Sequence, residues 1–166
     1  MNEPVSFRVA SKADLPEVLR LYAQPDLDGK SLSLAEAECL FERIAQYPDY
    51  HVYVAERGSR IVGTFALLIM HNLGQWGTPS AVIEDVAVAP DCQGQGIGRI
   101  MMRHALQICG EKGCYKAVLS SNLKRDRAHA FYASLGFERH GFSFRVLLGA
   151  ADKSGSALTP PTSTQR

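Results

Sequence analysis

The stretch VIEDVAVAPDCQGQGIGRIMM, residues 82–102, constrains this chain more than any other. An apolar run rich in valine stops at Pro90. Three glycines follow at alternate positions, Gly94, Gly96 and Gly98, and helical spacing begins with Ile97, Ile100 and Met101. A strand therefore has to turn directly into a helix. Glycine lets the backbone approach a ligand with no side chain in between. The first-turn N–H groups of a helix lack intrahelical acceptors, and the helix dipole puts partial positive charge there. Such a junction is suited to an anion, a pyrophosphate above all.

Three readings compete for the turn. A dinucleotide fingerprint needs G-x-G-x-x-G after an early strand, with an acidic residue about 20 positions on. Here the spacing is G-x-G-x-G, past the middle of the chain. A P-loop needs G-x-x-x-x-G-K-[S/T], but Gly98 is followed by Arg99 and Ile100. The third reading is a tight turn without a ligand. Gln93 at its head and the strand DVAV before it favour the phosphate cradle.

Periodicity organises the rest. Residues 5–9 alternate as a strand. Ser11 opens a helix carrying Leu15, Val18, Leu19 and Tyr22, with its hydroxyl expected to accept from the Asp14 N–H. Ser33 and Glu36 form a capping box for a second helix with Leu34, Ala37, Leu40, Phe41 and Ile44 on one stripe. Strands follow at 51–56, about 61–71 and 81–89. A helix then runs from the glycine turn to Gly113, a strand spans 115–121, and a helix runs from Asp126 to Leu135 with Gly136 as its stop. Phe137 onward and Phe142–Leu148 read as two closing strands. The predicted class is α/β (α+β): one mixed, mostly antiparallel central sheet flanked by helices. Residues 1–148 are expected to form one domain, and 149–166, small and polar with prolines, a disordered tail.

Composition narrows the partners. The 166 residues suit a single core. Their 18 basic and 17 acidic side chains leave a formal charge of +1, without the basic excess that gripping nucleic acid requires. The longest apolar run, Ile61–Met70, contains Gly63 and Thr64 and is about half of the ~20 residues a membrane helix needs. No basic start with an apolar run opens the sequence, so a cytoplasmic chain is expected. Cys39, Cys92, Cys109 and Cys114 have no C-x-x-C spacing and no accompanying histidine cluster. They read as free, mostly buried thiols, with no metal site expected.

The motif Gln93-Gly94-Gln95-Gly96-Ile97-Gly98 resembles the Q/R-x-x-G-x-G/A signature of the GNAT family of N-acetyltransferases. Asp85–Pro90 resembles that family's approach strand. Ala130-Phe131-Tyr132-Ala133-Ser134-Leu135-Gly136-Phe137 resembles its late helix with a Tyr-x-x-x-Gly-Phe ending. The resemblance runs from about residue 5 to 148. Segment 115–145 is also similar to aminoalkylphosphonate N-acetyltransferases, while Ile83–Val86 and Gly113–Lys116 are similar to glucosamine-6-phosphate N-acetyltransferases.

The resemblance implies an enzyme, an acyltransferase of bacterial type, with acetyl-CoA as co-substrate and a small-molecule primary amine as acceptor. Backbone N–H groups of Gln93, Gly94, Gln95, Gly96, Ile97, Gly98 and Arg99 would hold the pyrophosphate. The edge at Val86, Ala87 and Val88 would pair with the pantetheine arm, an N–H near Val86 would polarise the thioester, and Asn122 would touch the coenzyme. Tyr132 is the expected acid and Glu84 the expected base, acting through water. Glu84 and Asp85 are adjacent on a strand, so only one of them should face a given cleft. His129 is a further proton-active candidate. Lys124, Arg125 and Arg127 suit an anionic group on the acceptor or simply a solvated helix start. Asp26, Asp28 and Trp76, on the 26–33 and 73–80 segments, are expected on the acceptor side. A homodimer through Phe142–Leu148 is compatible with the pattern. Two other activities remain open: an acetyl-CoA-binding sensor without turnover, and a protein lysine or N-terminal acetyltransferase.

Overall fold

The computed structural model describes residues 3–25, 31–141, 143, 144 and 146. Strand β1 (Val5–Val9) leads through a 3-10 turn at Lys12–Asp14 into α1 (Leu15–Tyr22), and α2 (Leu34–Ile44) follows. The strands β2 (Tyr50–Arg57), β3 (Arg60–Met70) and β4 (Ser80–Val88) come next, then α3 (Ile97–Glu111), β5 (Lys116–Val118) and α4 (Asp126–Ala133). The sheet has the order β1-β2-β3-β4-β5. Its first four strands pair antiparallel, while β5 lies parallel to β4. This is the expected mixed, mostly antiparallel sheet.

Helix α3 covers one face. The Phe7 ring stacks on His104 at 4.4 Å between centroids, and Tyr53 stacks on Phe65 at 5.0 Å. A Cβ on Gly63 would collide with the Met101 sulfur, so only glycine lets α3 approach β3 this closely. On the other face α1 packs on β3 and β4, bringing Tyr22 beside Thr64, whose side chain alternates with those of Gly63 and Phe65. The core between the layers includes Val18, Leu21, Val54, Phe65, Ile83, Ile97, Met101 and Met102, each at most 3% exposed.

Several expectations change. Ser11 and Asp14 close a capping box, and the Asp14 N–H also donates to the Ser11 carbonyl at 3.1 Å. Ser11 donates from both its N–H and its hydroxyl to the Asp14 carboxylate, at 2.7 and 2.8 Å. Asp14 also takes a bidentate pair from Arg8 at 2.6 and 2.8 Å, joining β1 to the start of α1. On α1 it is Leu21, not Leu19, that is fully buried. In α2 only Ala37 is fully buried, and Leu34 and Leu40 face solvent at 45% and 40%. The closing strand expected from Phe137 is absent over the described residues 137–141, where Gly141 turns with φ +82°. Phe144 and Val146 are exposed and outside any strand, and the rest of Phe142–Leu148 and residues 149–166 lie outside the described residues. Cys39 is exposed, Cys92 and Cys109 are buried and Cys114 is partly so, all as free thiols. No helix among the described residues is long and apolar enough to cross a membrane.

The guanidinium of Arg8, aided by the Ser11 donors, holds the Asp14 carboxyl well below its usual range against the opposing effect of burial. A carboxylate depressed in this way stabilises the fold above its unfolded pKa, and the contribution fades as pH falls through the carboxylate range. Asp14→Asn is expected to cost about 2 kcal/mol at neutral pH, since charge-assisted bonds to a buried acceptor are lost. Urea unfolding at stepped pH should show the gap between wild type and variant at full size above about pH 5 and shrinking below about pH 4.

Candidate active site

The site begins where two strands part. β5 pairs with β4 only from Ser80 opposite Lys116 to Val82 opposite Val118. Beyond Val82 the second edge of β4 has no strand partner among the described residues. Within this central strand Glu84 and Asp85 are exposed and Val86 half-buried, between Ile83 at 1% and Ala87 at 4%. A cleft therefore enters the sheet at mid-strand.

A bulge shapes that cleft. Ala66 faces Glu84 and Thr64 faces Ala87, so Asp85 and Val86 together oppose Phe65. Asp85 takes the left-handed conformation, φ +54°, which aspartate tolerates better than most residues. Glu84 and Asp85, expected on opposite faces, are both exposed. Both carboxylates act on the Tyr50 hydroxyl and raise its pKa beyond the effect of burial. Burial, and then the charge of Asp85, holds the Glu84 carboxyl above its ordinary value, and burial raises Asp85. Burial and then the charge of Asp85 raise the Tyr22 pKa, and the buried Tyr22 hydroxyl has no hydrogen-bond partner of good geometry among the described residues.

The backbone of β4 beyond the bulge alternates between its two edges. The Ala89 N–H donates to Val62 of β3 at 2.9 Å, so the groups of Ala87 also point to β3 and those of Val86 and Val88 to the open edge. The Val88 carbonyl is already taken, accepting from the side-chain amides of Gln24 and Gln93 at 3.1 and 3.2 Å.

The glycine turn presents backbone rather than side chains. Gly94 and Gly96 sit at φ +73° and +82°, and a Cβ on either would meet open space. Glycine is needed there for conformation. Gly98 has a different reason: its Cβ would come within 3.2 Å of Phe131 Cζ, so it lets α4 approach the first turn of α3. Gly96 caps α3 without a side-chain bond, and the first-turn bond runs from the Ile100 N–H to the Gly96 carbonyl at 3.1 Å. The N–H groups of Ile97, Gly98 and Arg99 remain as donors. The neighbouring side chains are engaged within the protein. Gln95 accepts from Arg57 at 2.8 Å and donates to the Asp91 carbonyl at 2.8 Å, and Arg99 donates to Ser134 Oγ at 3.0 Å.

Tyr132 owes its setting to the end of α4. The Phe137 N–H donates to the Tyr132 carbonyl at 3.1 Å and the Gly136 N–H to Ala133 at 3.0 Å, with Gly136 at φ +88°. This is a Schellman motif, which brings the residue after the glycine back onto the last turn. Here the rings of Phe137 and Tyr132 meet edge to face at 5.8 Å. The Tyr-x-x-x-Gly-Phe pattern is thus a helix stop that aims a tyrosine. The Tyr132 hydroxyl makes no hydrogen bond among the described residues. Its pKa is raised by burial, opposed by Arg125, and raised again by Glu84, so the acidic and basic candidates sense each other across the cleft.

The other expected residues divide. Asn122 is exposed, its Oδ1 accepting from the Lys124 N–H at 3.0 Å. Beside it Ser121 Oγ is buried without a partner among the described residues. His129 has both ring nitrogens occupied, Nε2 against the Asn122 carbonyl at 2.9 Å and Nδ1 against Arg139 at 3.3 Å, so it latches the loop to α4 and is not a free base. Lys124, Arg125 and Arg127 enter no ion pair among the described residues. Trp76 is fully exposed at φ +59°, and Asp26 and Asp28 lie outside the described residues. Sequence reasoning missed Gln24 and Ser121. Neither carries a local signal, because each gains its importance only from segments that the fold brings to it.

Comparison with known proteins agrees with this geometry. The Acetyltransferase (GNAT) family model matches residues 15–137. The glucosamine 6-phosphate N-acetyltransferase of Trypanosoma brucei brucei is 34% identical over 95 residues, 57% of this chain and 63% of that protein. The probable glucosamine 6-phosphate N-acetyltransferase 2 of Oryza sativa subsp. japonica is 30% identical over 131 residues, 76% of this chain and 75% of that protein. The aminoalkylphosphonate N-acetyltransferase of Salmonella typhimurium is 30% identical over 103 residues, 61% of this chain and 65% of that protein. Among solved structures, a protein of Agrobacterium tumefaciens str. C58 described as an acetyltransferase superimposes with a TM-score of 0.80 at 33% identity, covering 86% of this chain and 99% of that one. A family match across this cleft and this glycine turn makes the chain a member of the GNAT acetyltransferase family, an acetyl-transferring enzyme.

Proposed function

We propose that the protein moves the acetyl group of acetyl-CoA directly onto a primary amine of a small molecule, within a ternary complex. Members of its family use acetyl-CoA as donor. One observation carries the reading: the unpaired edge of β4 runs from two carboxylates of raised pKa to a cradle of free backbone N–H groups. An extended polyamide ending in a pyrophosphate fits that sequence of groups. The open space beside Gly94 and Gly96 and the unpartnered Ser121 hydroxyl are consistent with it.

In this reading the cradle over Gln93–Arg99 binds the pyrophosphate through main chain, and the Val86 and Val88 N–H groups bind the pantetheine arm. Bound acetyl-CoA supplies an activated acyl group as a thioester. Glu84, its carboxyl raised above the ordinary value by burial and by Asp85, takes a proton from the acceptor ammonium through water. The Val86 N–H supports the oxyanion. Tyr132, kept protonated by burial, gives a proton to the departing sulfur. Lys124, Arg125 and Arg127 supply positive charge for a phosphoryl-type anion on the acceptor. The names of the trypanosomal and Salmonella relatives, which pair an amine with such an anion, support this.

Free-thiol release from acetyl-CoA over a panel of amino sugar phosphates, aminoalkylphosphonates, polyamines, aminoglycosides, amino acids and a lysine peptide tests the assignment. Release with one of the small amines is expected. Binding of acetyl-CoA with silence across the panel would turn the reading to a sensor, and release with the peptide alone to a protein acetyltransferase. Tyr132→Phe should lower kcat about 100-fold and leave the acetyl-CoA Kd unchanged. An unchanged kcat removes Tyr132 as the acid.

The base has its own signature. A carboxyl that must be ionised to act gives a rate that falls as pH drops through its pKa, here above the ordinary glutamate range. The acid limb of the kcat/KM profile should vanish in Glu84→Gln, and a limb that persists would move the role to Asp85. Phe137→Ala removes the ring that aims Tyr132. It should lower kcat about tenfold with little change in acetyl-CoA KM, a split that steady-state kinetics will read.

A further inference from the structure

Gln24 lies two residues beyond the end of α1 and is 7% exposed. Its amide nitrogen donates to the Leu21 carbonyl at 2.8 Å and to the Val88 carbonyl at 3.1 Å, and its oxygen accepts from Gln93 Nε2 at 3.2 Å. Gln93 Nε2 donates to the same Val88 carbonyl at 3.2 Å. The end of α1, the end of β4 and the head of the glycine turn thus meet in one knot of two side-chain amides around a single carbonyl.

We propose that Gln24 is a positioning residue for coenzyme binding: it holds Gln93, and with it the glycine turn, in the conformation that receives the pyrophosphate. The inference rests on reading that turn as the pyrophosphate site. The turn needs outside anchors, because Gly94 and Gly96 have no side chains to pack. Its far end is held by Ile97, 1% exposed, and its middle by the exposed bonds of Gln95 to Arg57 and Asp91. The head is held by buried Cys92, by the Gln93 N–H donating to the Pro90 carbonyl at 3.3 Å and by the Gln93 side chain, which Gln24 and Val88 fix. A buried amide that loses its partner is left unsatisfied, and the group it held turns elsewhere. The knot also marks the end of the ligand-binding edge. With its carbonyl taken, Val88 offers only its N–H to the open side.

A donor comparison separates this role from general support of the fold. S-acetylpantetheine carries the thioester and the amide arm but no pyrophosphate. Gln24→Met keeps the length and removes the amide. It should lower kcat/KM with acetyl-CoA about tenfold, the loss of one well-placed interaction, and leave kcat/KM with S-acetylpantetheine within about twofold. In a Gln93→Met background the same substitution should add little, because the two residues act as one unit. Should Gln24→Met fail to fold, Gln24→Asn retains a buried amide one methylene short of its partners and is expected to show the same donor-specific loss. Equal losses with both donors, no loss with either, or additive losses in the double variant would overturn the proposal. A wild-type protein that does not bind acetyl-CoA in calorimetry would instead bring down the site reading beneath it.

Discussion

The cleft in the sheet exists because a hydrogen-bond ladder stops at mid-strand. β4 is held on one edge by β3 along its length, yet β5 accompanies it only to Val82. Backbone groups withdrawn from water need partners, so an interrupted ladder in a central strand is tolerable only if something else meets them. Two side-chain amides meet the Val88 carbonyl. The remaining edge groups at Val86 and Val88 are left for a ligand with the hydrogen-bonding habit of a strand. The bulge at Asp85 interrupts the same stretch, where two successive carboxylates are exposed.

Helix ends determine most of what surrounds this opening. α3 begins at a left-handed glycine without a capping side chain, which leaves its first N–H groups unclaimed. α4 ends at a left-handed glycine whose following phenylalanine folds back on Tyr132. The two helices meet where Gly98 gives way to the Phe131 ring. The glycine turn and the helix that carries Tyr132 are therefore coupled through packing, and a side chain at position 98 would press on the Phe131 ring.

Two environments treat carboxylates in opposite ways. Asp14 is partly buried, but Arg8 and Ser11 surround it with donors, and its charge stabilises the structure. Glu84 and Asp85 are partly desolvated beside each other, with tyrosines for neighbours and no cation in an ion pair among the described residues. The first arrangement favours the anion and suits a structural role. The second raises the proton affinity of both groups.

Much of this was legible in the chain itself. The strand-turn-helix junction, the Ser33–Glu36 capping box, the alternation of β2 and the stop at Gly136 are local patterns, and the structure carries each of them. The closing strand read from Phe137 was not realised there, because alternation does not say whether an edge will accept a strand. The bulge at Asp85 gave no signal, because it depends on the partner strand, which a period of two cannot see. Gln24, Ser121 and the Arg8–Asp14 pair gave no signal, since their partners lie far along the chain or on another element. Sequence by itself determined the elements, their caps and the anion-competent turn, all consequences of propensity and spacing over a few residues. Tertiary structure alone decided which strand edge stays open, where the bulge in β4 falls and which side-chain amides meet the Val88 carbonyl, because each is settled by hydrogen bonds between segments that meet only in the fold.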